Sequence, residues 1–270
     1  MEKSITVEQY HFNYYSLGRS SHPPILFLHG FMGDCREFNE VMSLLSNQFY
    51  CLAVDLPGHG KSQTSDDDQD YIMQKTANGL IRFLDALDIK TVLLLGYSMG
   101  GRLALYLTLH FPNYFSKVVL ESASPGLKTQ AERIKRIESD RTLAQELETE
   151  EFSAFLAKWY NQPLFASLKK HPAFEKLLKS RLQNHPFNLA KSLRYLSTGC
   201  QPSLWKKLEQ NTISILLLVG EFDTKFVNIN SEMASLCKSA TLEIVDQCGH
   251  TIHFEQVNRF IAKTRDFLSK

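Results

Sequence analysis

The segment Thr91–His110, TVLLLGYSMGGRLALYLTLH, constrains the fold of this chain more than any other. An apolar run of strand length passes directly through Gly96-Tyr97-Ser98-Met99-Gly100 into an apolar helical run. This G-x-S-x-G turn leaves no room for a loop. Its glycines let the backbone bend sharply and let strand and helix approach closely. The Ser98 hydroxyl is then expected at the carboxyl edge of a sheet, where it needs a base held by a third group to become reactive.

Further short apolar runs bounded by turn residues predict buried strands at Ile25–His29, Tyr50–Asp55, Lys117–Glu121, Ser214–Gly220 and Ala240–Val245. A hairpin is expected near Ile5–Tyr15. Helical faces lie between several of these runs, one carrying Phe38, Val41, Met42 and Leu45 and another Leu80, Ile81, Leu84 and Leu87. Strands alternating with helices imply an α/β fold, a mostly parallel sheet flanked by helices. From about Ser124 to Glu209 the alternation stops and the chain reads as charged helix. This is the pattern of an inserted helical cap, residues 124–207, with the core formed by residues 1–123 and 208–270. Both ends of the insertion should then be adjacent. The acidic run Asp66–Asp70 is expected to be a solvated loop before a helix.

A formal net charge of +1 gives no long-range field for nucleic acid or an anionic membrane, so preference for an anion must come from local cations. The five cysteines, Cys35, Cys51, Cys200, Cys237 and Cys248, are odd in number and lack a C-x-x-C pair. They suggest neither a disulfide framework nor a zinc site, and fit a reducing, cytoplasmic setting. No signal-peptide core and no apolar run of spanning length is present. No cofactor or metal is expected, and oligomeric state is left open.

Asp223, in GEFDTKF, and His250, in CGHTIHFE, each follow a predicted strand, and they complete the chain order Ser, acid, His. Glu221 and His253 compete for these roles. Asp223 is preferred because it lies deeper in its loop, and His250 because Gly249 permits close approach. The N–H of Met99 and one from the LHGFMGD loop, that of Phe31, are expected to form an oxyanion hole. His59, in DLPGHGKS, is expected to be structural. Arg102 lies one helical turn beyond Ser98, and an unpaired buried arginine is costly. Two readings follow: an ion pair with a core acid such as Glu121, or a guanidinium that faces a pocket and takes a carboxylate bidentately.

The stretches FLHGF, DLPGHGKS, GYSMGG, GEFD and GH resemble the α/β-hydrolase superfamily on both sides of the insertion. The combination GYSMGGRLA, LHGFMGDC, ESASPGL, AERIKRIESD, WYNQPLFASL and GEFDTKF is similar to one family within it, the 2-succinyl-6-hydroxy-2,4-cyclohexadiene-1-carboxylate synthases (MenH) of menaquinone and phylloquinone synthesis. The resemblance implies the α/β-hydrolase fold, a pocket between core and cap, and a lyase that eliminates pyruvate from a small polycarboxylate. It also implies substrate contacts from Tyr97, Arg102, Arg136, Trp159 and Arg181. Lys225 is a further candidate cation. A serine esterase or C–C bond hydrolase of the same fold would share the triad without needing Arg102. A non-catalytic receptor on this fold would need no triad.

Overall fold

The computed structural model describes residues 1–65 and 67–269. Among them, eight strands form one sheet: β1 (Glu2–Val7), β2 (Tyr10–Leu17), β3 (Pro24–Leu28), β4 (Tyr50–Val54), β5 (Val92–Tyr97), β6 (Phe115–Glu121), β7 (Ser214–Gly220) and β8 (Ala240–Val245). Their spatial order is β1-β2-β4-β3-β5-β6-β7-β8. Pairing is antiparallel from β1 to β2 and from β2 to β4, and parallel from there to β8. The central strands are apolar on both faces because helices cover both sides. Every residue of β5 is buried.

One face carries α2 (Met73–Ala86) and α3 (Met99–His110), packed through residues such as Leu80, Leu84, Leu103 and Leu107. The other carries α1 (Asn39–Leu45) and the C-terminal helix Val257–Ser269, packed through Val41, Met42, Phe260 and Ile261. The predicted helical faces are therefore the buried ones, with Leu87 partly buried just past the end of α2. β8 departs from the expectation of a buried strand. It is the outermost strand, paired only with β7, and Thr241 and Ile244 are open to solvent.

Between β6 and β7 lie α4 (Gln130–Thr149), α5 (Phe152–Tyr160), α6 (Phe174–Arg181), α7 (Pro186–Tyr195) and α8 (Trp205–Leu208). Helix α4 starts at a capping box: Thr129 Oγ1 accepts from the Glu132 N–H, and the Glu132 carboxylate accepts from the Thr129 N–H. This insertion has an apolar cluster of its own, including Leu147, Phe155, Phe165 and Leu189, closed from below by Met32 of the core. Its ends meet where the Leu204 N–H donates to the Pro125 carbonyl at 2.8 Å. Leu204 and Leu208 already pack into the sheet's own core. No described helix is long and apolar enough to cross a membrane.

The acidic run is more ordered than a solvated loop. Asp66 lies outside the described residues. Asp68–Tyr71 forms a 3₁₀ turn, and Asp70 is buried, held by Ser65, Gln9 and Lys75. The run reads as polar in sequence, but its last carboxylate finds enough donors to leave water.

Candidate active site

Ser98 sits between β5 and α3 with φ 50° and ψ −106°, a strained conformation for a residue with a side chain. The bend is possible because the residues two positions away on either side, Gly96 and Gly100, lack side chains. A Cβ on Gly100 would lie 2.2 Å from the Leu28 carbonyl oxygen, and one on Gly96 2.5 Å from that of Gly100. The Ser98 N–H donates to the Glu121 carbonyl at 2.9 Å, fixing the turn to the next strand.

His250 and Asp223 come from the loops after β8 and β7. His250 Nε2 is 2.9 Å from Ser98 Oγ, and its Nδ1 is 2.6 Å from Asp223 Oδ2. Both side chains are nearly fully buried. The histidine loop is tied on all sides. Ser122 Oγ donates to the His250 carbonyl at 3.0 Å. Glu255 accepts from the N–H groups of Gly249 and Thr251. The Tyr97 hydroxyl meets Thr251 Oγ1 at 2.8 Å.

The rival residues lie elsewhere. Glu221 is exposed and accepts from the Gln247 N–H. His253 is buried, with Nδ1 2.8 Å from Glu121 Oε2. Burial opposes the charge on His253, but Glu121 beside it outweighs that and holds the imidazole pKa above its usual value.

Beside Ser98 opens a cavity of about 490 Å³, lined by core and insertion alike, a size suited to a small molecule. Phe31, Tyr97, Met99, Arg102, Arg136, Trp159, Arg181 and Lys225 all reach its wall. Among the described residues, neither the Phe31 nor the Met99 N–H is engaged by a protein acceptor. The Phe31 and Trp159 rings pack with centroids 5.2 Å apart. Tyr97 presents its ring, since its hydroxyl is committed to Thr251. Burial, and after it the charge of Glu37, pushes this phenol's pKa well above the usual value. His59 is buried with Nδ1 on the Pro57 carbonyl and does not line the cavity.

The three arginines are held differently. Arg102 does not pair with Glu121, whose carboxylate is taken by His253. Its Nη1 donates to Gln201 Oε1 at 3.0 Å and its Nη2 to the Leu196 carbonyl at 2.9 Å. No carboxylate lies within ion-pair distance of it among the described residues. Burial, and after it the nearby Arg136, lower its pKa to about 10, so it stays charged at neutral pH. Arg136 Nε contacts both oxygens of buried Asp140 at 2.8 Å, and Asp140 also accepts from Ser197 Oγ. Arg181, on a charged helix, is itself buried: it pairs with Glu37 and donates to the Tyr160 hydroxyl at 3.2 Å.

Comparison with known proteins agrees with this geometry. The model of the alpha/beta hydrolase fold family matches residues 23–257. The 2-succinyl-6-hydroxy-2,4-cyclohexadiene-1-carboxylate synthase of Escherichia coli O1:K1 / APEC is 36% identical over 252 residues, covering 93% of this chain and 96% of that one. A Bacillus subtilis (strain 168) protein that carries the same name provisionally is 36% identical over 254 residues, covering 93% and 92%. The solved structure of MenH from S. aureus superposes with a TM-score of 0.91 at 34% identity, covering 96% of this chain and 98% of that one. The chain belongs to the 2-succinyl-6-hydroxy-2,4-cyclohexadiene-1-carboxylate synthase family.

In this synthase-family chain, several residues that shape the site carry no sequence signal of their own. Gln201, Asp140, Glu37, Ser122 and Thr251 each act through a partner distant in sequence, apart from the i,i+4 spacing of Arg136 and Asp140, which a helix-pairing rule would have flagged. One group with metal-ligand chemistry, Asp34, Cys35 and Asp55, exists among the described residues. Its oxygens are already occupied: Asp55 accepts from the N–H groups of Cys35 and Lys61 and from Asn13, and Asp34 binds Arg36. It is a hydrogen-bonded knot at the end of β4. All five cysteines are free thiols.

Proposed function

We propose that this chain eliminates pyruvate from 2-succinyl-5-enolpyruvyl-6-hydroxy-3-cyclohexene-1-carboxylate, giving 2-succinyl-6-hydroxy-2,4-cyclohexadiene-1-carboxylate in menaquinone or phylloquinone synthesis. The observation that carries this reading is Arg102. A half-buried guanidinium, with no carboxylate within ion-pair distance among the described residues, faces the same cavity as a hydroxyl hydrogen-bonded to an imidazole. Ester hydrolysis needs no such cation, whereas a substrate with three carboxylates does.

In this reading the ring C–H beside the succinyl ketone gives its proton to the Ser98–His250 pair, with Asp223 fixing the imidazole. Negative charge gathers on the ketone oxygen and is met by the N–H groups of Phe31 and Met99, aided by the positive end of α3. The electron pair then shifts through the ring alkene, the C–O bond to the enolpyruvyl group breaks, and the released enolate takes a proton at carbon to become pyruvate. Ser98 serves proton transfer here, and no acyl-enzyme forms. Arg102, Arg136 and Arg181 hold carboxylates, Tyr97 and Trp159 form apolar walls, and residues 124–207 act as a cap over the core. The setting is read as cytoplasmic.

The test is pyruvate release by purified protein from the enolpyruvyl substrate, with Ser98→Ala as the control. Release that disappears in Ser98→Ala supports the reading. Rapid cleavage of simple aryl esters without pyruvate release overturns it in favour of a hydrolase.

A further inference from the structure

We infer that Glu37 and Asn184 are positioning residues for the oxyanion loop, so that the cap sets the direction of the Phe31 N–H; the catalytic meaning of this rests on the function proposed above. The loop Gly30–Gly33 is a single turn closed by the Gly33 N–H on the Gly30 carbonyl at 3.0 Å, with Met32 at φ 64°. It has no strand or helix to fix it. The Gly30 carbonyl also accepts from His29 Nδ1 at 2.8 Å, while the Gly30 N–H and the Met32 carbonyl, one on each side of Phe31, are tied toward the cap.

On one side, the Gly30 N–H donates to Glu37 Oε2 at 2.9 Å, and the other oxygen of Glu37 pairs with Arg181 at the end of α6. On the other side, Asn184 Nδ2 donates to the Met32 carbonyl at 2.9 Å, while Asn184 Oδ1 accepts from the Gly60 N–H at 3.2 Å. A third tie joins Arg36 Nη1 to Gln183 Oε1 at 2.8 Å. The end of α6 thus holds position 30 through Glu37, the turn after it holds position 32 directly, and Phe31 lies between them. The Glu37 side chain is only 2% exposed, so water offers little substitute for Arg181 there.

An oxyanion donor works when it already points at the place where charge will develop, within about 2.7–3.1 Å. Loosening the loop should therefore weaken transition-state binding more than ground-state binding, lowering kcat with little change in KM. Two variants separate this from a merely structural role. Asn184→Leu deletes the bonds to Met32 and Gly60, together with a local one to the Arg181 carbonyl at 3.2 Å, without disturbing a charge. Glu37→Gln keeps an acceptor for the Gly30 N–H but uncouples Arg181.

For Asn184→Leu, kcat per folded molecule is expected to fall about 10- to 100-fold, less than loss of a whole oxyanion donor, with KM nearly unchanged. Amide hydrogen–deuterium exchange should quicken at residues 29–33 in both variants and stay as in the wild type across β7. A loss carried entirely by KM, or unchanged kcat, overturns the inference. If the wild type releases no pyruvate, it is the proposed function that fails. The exchange measurement needs no substrate and still decides the loop: quickened exchange upholds the clasp, and unchanged exchange in both variants sinks it. Should Glu37→Gln not fold, Asn184→Leu alone gives the answer.

Discussion

The half of the site built by the sheet and the half built by the insertion are secured by different chemistry. Ser98 and His250 are fastened mainly through backbone groups: the Ser98 N–H on the Glu121 carbonyl, and the His250 carbonyl under Ser122. Arg136 and Arg181 are fastened through charge, each against a buried acid. Arg102 stands at the seam, rooted in α3 but aimed by Gln201 and a carbonyl, both neutral. An acid partner fixes a guanidinium and cancels its field. A neutral acceptor fixes it and leaves the charge available. By this contrast Arg102 should be the strongest anion anchor of the three.

The largest effect should come from the sheet half. His250→Ala is expected to lower kcat about 10²- to 10⁴-fold with little change in KM, measured as steady-state pyruvate release. A loss in kcat of about 10³-fold or more from any single insertion residue would erase the distinction between the halves. Next, Arg102→Ala should raise KM about 10- to 100-fold while the melting temperature changes little, since it removes a half-buried charge held only by neutral acceptors. Gln201→Glu sharpens the point. It keeps an acceptor in place but supplies the missing counter-charge, so KM should again rise, this time with a gain in stability.

Arg136→Gln should matter less. Its side chain is 38% exposed and already neutralised by Asp140, so a rise in KM of only about 2- to 5-fold is expected. An effect as large as that of Arg102→Ala would show that an acid partner does not blunt an anion site. The smallest effect concerns the pair behind the triad. The pKa of His253 is raised by Glu121 against the opposing pull of burial. A raised folded-state value means that the pair stabilises fully below the unfolded imidazole value, about 6.5, and that this contribution fades as pH climbs through the folded value. The gap in melting temperature between wild type and His253→Gln should therefore narrow from about pH 6 upward. A gap that widens would reverse the assignment.

What was legible in the sequence follows the same division. The triad positions lie where parallel strands end, so local motifs and chain order place Ser98, Asp223 and His250 side by side. The arginines are visible as residues, but their partners are not. Glu37 and Arg181 are separated by 144 positions, and no periodicity links them. Glu121 and His253 illustrate the limit well. Sequence offers one as a partner for Arg102 and the other as a rival base, and folding joins the two to each other. Burial at the sheet's edge is equally hidden, because β8 has the composition of an inner strand and only topology makes it the last.

The backbone at Ser98 has a consequence for how this protein can change over time. A side chain held at φ 50° costs about 1–3 kcal/mol that glycine would largely recover. Ser98→Gly should thus yield an inert molecule that outlasts its parent on heating. A lineage freed from the need to turn over substrate would find that exchange one of its easiest routes to robustness, and serine persists there only while its hydroxyl is in use.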